Sequence, residues 1–132
     1  MSICETIGDT KVGVRDVVTI VRLERVTDAA EIMCENRVGC LVVVAAHDDA
    51  TMVGIISERD ILQWISAASP ETFFQQVEDV MTREVIFCEA DSPLEDAWQL
   101  MKKNGIRHIP VVSEGVAVAM LSARDLLDHH HA

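Results

Sequence analysis

The sequence repeats itself. Displaced by 68 positions, residues 12–44 lie over 80–112; displaced by 65, residues 53–62 lie over 118–127; the two together give 14 identities in 43 aligned positions. The matched pairs include Arg15/Arg83, Asp28/Asp96, Ala29/Ala97, Met33/Met101 and Asn36/Asn104, then Ser57/Ser122, Arg59/Arg124 and Asp60/Asp125. Several other columns exchange one aliphatic residue for another, among them Val18/Ile86, Val26/Leu94, Ile32/Leu100, Val38/Ile106 and Leu41/Ile109. Half of a chain of 132 residues is too small to bury its apolar faces alone. The repeat therefore predicts two copies packed with pseudo-two-fold symmetry and two equivalent clefts between them.

Each copy reads as β-α-β-β-α, an α/β (α+β) fold. A short apolar stretch opens it, at Val17–Val21 or Val85–Cys88. A helix follows, with Val26, Ala29, Ala30 and Met33 on one face of the first copy and Leu94, Ala97, Trp98 and Met101 on that of the second. Both sets follow helical i, i+3, i+4, i+7 spacing. In Ser92-Pro93-Leu94-Glu95 the serine is expected as N-cap and the proline as first helical residue. The runs Leu41–Val44 and Ile109–Val112, then Met52–Ile56 and Val116–Leu121, are continuously apolar, as strands covered on both faces are. A last helix is expected from near Ser57 and Ser122. The domains are expected at 8–65 and 80–129, joined by a 66–79 linker that Pro70 breaks and that is helical over 71–79.

Composition narrows the function. The chain is 49% hydrophobic but has only two Trp, three Phe and no Tyr, so its core is aliphatic. Its formal net charge of -11 repels phosphate backbones and anionic lipids, which argues against nucleic-acid and membrane binding. Cys4, Cys34, Cys40 and Cys88 form no C-x-x-C pair and no zinc spacing, so they are expected to be inert core thiols without a metal. Met1–Glu5 carries neither the basic nor the apolar region of a secretory leader, and a cytoplasmic protein is the expectation. His129-His130-His131 reads as a solvated tail or tag remnant, His47-Asp48-Asp49 as a turn, and Arg22 and Arg25 as a solvated face. No nucleophile elbow, P-loop or H-E-x-x-H occurs, so no enzyme and no catalytic cofactor are expected.

The repeated turns carry the candidate chemistry. Gly54-Ile55-Ile56-Ser57-Glu58-Arg59-Asp60 and Ala119-Met120-Leu121-Ser122-Ala123-Arg124-Asp125 each run from a strand into a helix N-terminus. Ser-x-x-Asp there is first of all a capping box. The same place also favours an anion, through its amides and the helix dipole. The arginine can hold a phosphate and the carboxylate can accept both hydroxyls of a ribose.

With the strand Arg107-His108-Ile109-Pro110-Val111-Val112 and the segment Asp79-Val80-Met81-Thr82, these turns make the chain resemble the CBS (cystathionine β-synthase) domain family over about residues 8–129. The resemblance implies a stand-alone regulatory pair, binding AMP, ADP, ATP or S-adenosylmethionine between the repeats and signalling to an unidentified regulated protein. It also implies a flat homodimer formed through helices. Carried over by residue, one cleft uses Asp60 for the ribose, with Ser57, Arg59 and Cys40 beside it and Thr82, Val85, Ile86, Ile106 and Arg107 from the other repeat. The second uses Asp125, Ser122, Arg124 and His108, with Val14, Val17, Val18, Val38 and Gly39. Departures from the family pattern include Val14 opposite Thr82, Ala119 for glycine, Val42 for proline, and Cys40 opposite His108. They predict unequal clefts. The alternative they leave is a structural or dimerisation module with closed, ligand-free clefts.

Overall fold

Both copies fold as β-α-β-β, yet the chain does not divide where the repeat begins. The computed structural model describes residues 14, 15 and 17–124, with only the main chain of Val14 and Arg15. One compact unit is Val18–Val85; the other joins Val14, Arg15 and Val17 with residues 86–124.

In the Val18–Val85 unit, strand β2 (Thr19–Val21) leads to helix α1 (Val26–Asn36), strand β3 (Cys40–Ala46), strand β4 (Asp49–Ser57), helix α2 (Glu58–Ser66) and the single turn α3 (Val77–Val80). β2 lies parallel to β3, which pairs antiparallel with β4. Helix α1 forms because its apolar residues share one face: Val26, Ala29 and Met33 are buried and pack with Ile20, Leu41, Val43, Ile56, Ile61, Val77 and Met81. Leu41, Val42 and Val43 are all fully buried, so β3 is covered on both faces, as its unbroken apolar run requires. Burying each such side chain contributes about 1.5–3 kcal/mol.

The other unit contains strand β1 (Val14–Arg15), strand β5 (Cys88–Glu89), helix α4 (Leu94–Asn104), strand β6 (His108–Ser113) and strand β7 (Val116–Ser122). β5 is parallel to β6, β6 antiparallel to β7, and β1 antiparallel to β7. Its core is Cys88, Ala97, Met101, Ile109, Val111, Ala119 and Leu121. Even the irregularity of the hairpin recurs: the register shifts between Val43 and Val44 in one unit and between Val111 and Val112 in the other.

Several local expectations change. Residues 71–76 are turn and bridge, not helix, and only Val77–Val80 is helical. This stretch is bound to its unit: Trp64 Nε1 donates to the Thr72 carbonyl at 3.3 Å and to Gln75 Oε1 at 3.1 Å, and Val26 N donates to the Gln75 carbonyl at 3.1 Å. The opening strand of the second copy starts at Cys88, because Val85–Phe87 are apolar but have no ladder partner. Pro93, not Ser92, is the N-cap of α4. Arg22 and Arg25 are engaged: Arg22 Nη1 pairs with Glu78 Oε1 at 2.8 Å, and the Arg25 guanidinium lies 4.7 Å from the Phe74 ring centroid. Cys34 is exposed on α1 rather than buried. Cys4, Asp125 and His129–His131 lie outside the described residues, as does the helix expected after Ser122 beyond its first residues, Ala123 and Arg124.

The segment Asp79–Thr82 closes the first unit. Thr82 and Ile55 exchange two main-chain hydrogen bonds, at 3.0 and 2.8 Å. Gly54 permits the approach, because a Cβ there would stand 2.7 Å from Met81 Sδ and 2.8 Å from the Thr82 carbonyl oxygen. The equivalent position of the second repeat is Ala119, which carries its methyl in the core. Gly54→Ala is therefore expected to cost about 1–3 kcal/mol by overpacking. Ala119→Gly should cost only about 0.5–1 kcal/mol, through strand entropy. Urea denaturation of the two variants checks the order.

Candidate functional site

The β3–β4 register sets Cys40 opposite Ser57, and α2 starts at the next residue. Ser57 caps it. Its Oγ accepts from the Asp60 amide at 3.2 Å, and Asp60 Oδ2 accepts from the Ser57 amide at 2.9 Å and from Ser57 Oγ at 3.1 Å. The expected capping box is thus formed in full. A third donor reaches the carboxylate: Thr82 Oγ1 lies 3.3 Å from both Asp60 oxygens. Ser57, Asp60 and Thr82 therefore converge within one unit, with Thr82 brought in by its pairing with Ile55.

Cys40 sits behind this group. Burial, and then the negative charge of Asp60, push its thiol up to about 12, so it stays a neutral SH at physiological pH. Arg59 is exposed on the first turn of α2. Val18 and Val38 pack at the margin of the core, so they also have a structural role. Val85 is half-buried at the end of the same unit.

The second unit repeats the geometry. His108 stands opposite Ser122, as Cys40 stands opposite Ser57. The Ala123 amide donates to the Arg107 carbonyl at 2.7 Å, as the Glu58 amide donates to the Gly39 carbonyl at 3.0 Å. Ser122 is buried, His108 half-buried, and Arg107 and Arg124 are exposed. Ile86 and Ile106 line the core of this unit, and Val17 also belongs to it. The main chain of Val14 pairs with Leu121; its side chain and Asp125 lie outside what is described.

One participant escaped the sequence reading. The Glu58 carboxylate fills the space beside Gly39, where any Cβ would overlap it. At the corresponding positions the second repeat has Arg107 and Ala123. Small and large residues have changed places, and the charge has changed with them. The arginine and aspartate of the turn are common to both repeats, but Glu58 adds a carboxylate to the first, whereas Arg107 and His108 stand at the second where the first has Gly39 and Cys40. The signal was present in two aligned columns that are informative only as a pair.

Comparison with known proteins identifies the family and the fold. The CBS domain family matches residues 10–67 and 77–132. The chain is similar to CBS domain-containing protein CBSX3, mitochondrial, of Arabidopsis thaliana, with 36% identity over 106 residues, 79% of this chain and 52% of that protein. It is 38% identical over 102 residues to an uncharacterized 17.7 kDa protein of Acidianus ambivalens, covering 76% of this chain and 59% of the relative. The chain thus spans between half and three-fifths of these relatives. Among solved structures, CBSX2 in complex with AMP is similar with a TM-score of 0.78 and 26% identity, covering 96% of each chain. The CBS domain pair of MJ0100, solved with 5'-methylthioadenosine and S-adenosyl-L-methionine, gives a TM-score of 0.82 at 23% identity and 97% coverage of both.

The thiols offer a direct check. Burial also raises the Cys88 thiol to about 11, helped by Asp96, while Cys34 is exposed. Iodoacetamide at pH 8 followed by peptide mapping should label Cys34 quickly and leave Cys40 and Cys88 unmodified in the native protein. A folded pKa above the unfolded value of 9.0 means that the Cys40 contribution is intact below about pH 9 and is lost as pH rises toward 12. Stability should therefore fall across that window, and Cys40→Ala should flatten the fall.

Proposed function

Because the chain belongs to the CBS-domain family, we propose that it is a non-catalytic regulatory module that binds an adenine nucleotide or adenosyl metabolite and signals by conformational change. The observation that carries this reading is the convergence of Ser57 and Thr82 on a half-buried Asp60 carboxylate at a helix N-terminus. The capping bonds hold Asp60 Oδ2, while Oδ1 has only the long contact from Thr82. Vicinal ribose hydroxyls are two donors that suit such an acceptor. The AMP complex of CBSX2 supports the ligand class, and AMP, ADP, ATP and S-adenosylmethionine are the candidates. In this reading Asp60 and Asp125 are the ribose anchors, and Arg59, Arg124 and His108 meet phosphate. A homodimer and a separate regulated protein complete it.

Charge decides which anchor takes which ligand. Arg59 and Arg124 are common to both turns, but His108 accompanies Asp125 where Glu58 and the neutral Cys40 accompany Asp60. A hydrogen bond to a charged group is worth about 1.5–3 kcal/mol, roughly tenfold to a hundredfold in affinity. Calorimetric titration of Asp60→Ala and Asp125→Ala is expected to show Asp125→Ala losing ATP by that factor, with Asp60→Ala losing mainly AMP or S-adenosylmethionine. Equal losses for every ligand would refute the division of labour. No heat with any adenosyl compound would favour the structural, ligand-free module instead.

A further inference from the structure

The Val18–Val85 unit carries a groove that the proposed nucleotide chemistry does not use. It is open, encloses about 420 Å³, and is lined by Thr19, Ile20 and Val21 of β2, by Glu24, Asp28, Glu31, Ile32 and Glu35, and by His47. Ile20 and Ile32 make its floor apolar. Its wall is a ladder of four carboxylates with no lysine or arginine among the lining residues. The nearby Arg22 is already committed to Glu78 and to the Ala45 carbonyl.

One side of the groove is an open strand edge. β2 uses its inward main-chain groups on β3: the Val18 carbonyl accepts from Val42 N at 3.0 Å, and Arg22 N donates to the Val44 carbonyl at 3.0 Å. In a parallel ladder the alternate residues, Thr19 and Val21, then turn their main-chain groups outward; the Val21 carbonyl accepts from Glu24 N at 3.0 Å, which leaves both groups of Thr19 and the Val21 amide for a partner. Among the described residues no strand pairs with that edge. An unpaired edge is a template for one more strand.

The second repeat serves as an internal control. Where the first has Glu24, Asp28, Glu31 and Glu35, it has Ser92, Asp96, Gln99 and Lys103. Only the aspartate is shared, and Asp28 has a structural duty, accepting from the Arg25 amide at 3.1 Å. The three glutamates are not required by the fold. They also oppose it, since Asp28, Glu31 and Glu35 are like charges one helical turn apart and Glu35 lies at the negative end of the helix dipole.

We propose that this groove is a docking site for an extended, basic segment of a partner protein, added as a strand to the edge of β2. Charge selects the segment, and spacing fits it. Along α1, Asp28 and Glu31 are about 4.5 Å apart and Glu31 and Glu35 about 6 Å, while alternate side chains of a strand repeat every 6.6–6.8 Å or so. A segment alternating Lys or Arg with small residues sets its cations along this row of carboxylates. A second copy of this chain, with a net charge of -11, fits poorly.

The test uses the full chain and a labelled octapeptide alternating lysine with threonine, followed by fluorescence anisotropy at low ionic strength. The variant Glu24→Ser, Glu31→Gln, Glu35→Lys carries the second repeat's own residues and should melt no lower than the parent. It is expected to bind the peptide at least about tenfold more weakly. Backbone N-methylation of alternate residues, which keeps every charge but removes strand donors, should weaken binding as much. Amide exchange at Thr19 and Val21 should slow in the complex. The proposal is overturned if the wild-type chain does not bind, if the variant binds equally, or if the N-methylated peptide binds as tightly as its parent. It is also overturned if sedimentation shows self-association through this face that the variant abolishes.

Discussion

Two main-chain hydrogen bonds between Ile55 and Thr82 hold the candidate site in being. They require a glycine at position 54, since any side chain there would meet the Thr82 carbonyl. They also tie the opening segment of the second repeat to the last strand of the first. Without that pairing Asp60 would be an ordinary capping residue, because the Thr82 hydroxyl would have no reason to lie against it. The second unit pairs its parts in the same way, with β1 from the first repeat laid on β7 from the second. Each compact unit is therefore completed by a piece of the other repeat. Neither repeat, cut at its sequence boundary, contains a whole unit.

Duplication preserves what both copies need to fold and frees the rest. Both retain the buried alanine and methionine of the first helix, the bulged hairpin and the serine at the strand-to-helix turn. What diverged is charge. Gly39 with Glu58, against Arg107 with Ala123, keeps the volume at the turn roughly constant while exchanging an acid for a base. Volume is constrained by the packing of strand on helix, and charge at a solvent-facing position is not. The helix ends show the same freedom: Arg37 takes the left-handed conformation at φ 54°, where the second repeat uses Gly105 at φ 62°. A glycine adopts that conformation without strain, so the first repeat tolerates a small local cost that the second avoids.

Periodicity made the helices and hairpins readable from the sequence, because apolar spacing reports which face is buried. It placed α1 and α4 by their Ala and Met positions and put a cap at Ser57. It could not say which unit an opening segment joins, since the stretches Val17–Val21 and Val85–Cys88 are mostly apolar wherever they pack. The same limit moved β5: Val85, Ile86 and Phe87 have the composition of a strand, but ladder pairing with β6 begins only at Cys88. Residues 71–76 failed for another reason. Their structure is set by Trp64, Thr72 and Gln75 hydrogen bonds, which no periodic pattern reveals. At the candidate site, Ser57 and Asp60 were legible as a cap, whereas Glu58 was not, because its significance lies in the glycine across from it.

The acidic surface itself is not uniform. Three aspartates do the same structural work at the N-termini of three helices: Asp28, Asp60 and Asp79 each accept from the amide of the residue three positions before, at 3.1, 2.9 and 3.1 Å. Asp28 and Asp79 show that capping alone accounts for such a carboxylate. What separates Asp60 is Thr82, a third donor reaching it from a distant part of the chain, together with a half-buried position beside a thiol that burial keeps neutral. Glu78 is accounted for by its ion pair with Arg22. Glu24, Glu31 and Glu35 have neither a capping role nor, among the described residues, an ion pair. Their mutual repulsion is a cost that the second repeat does not bear. A protein that needed only solubility could spread such charges anywhere, so their alignment along one open strand edge has to be explained by what the edge meets.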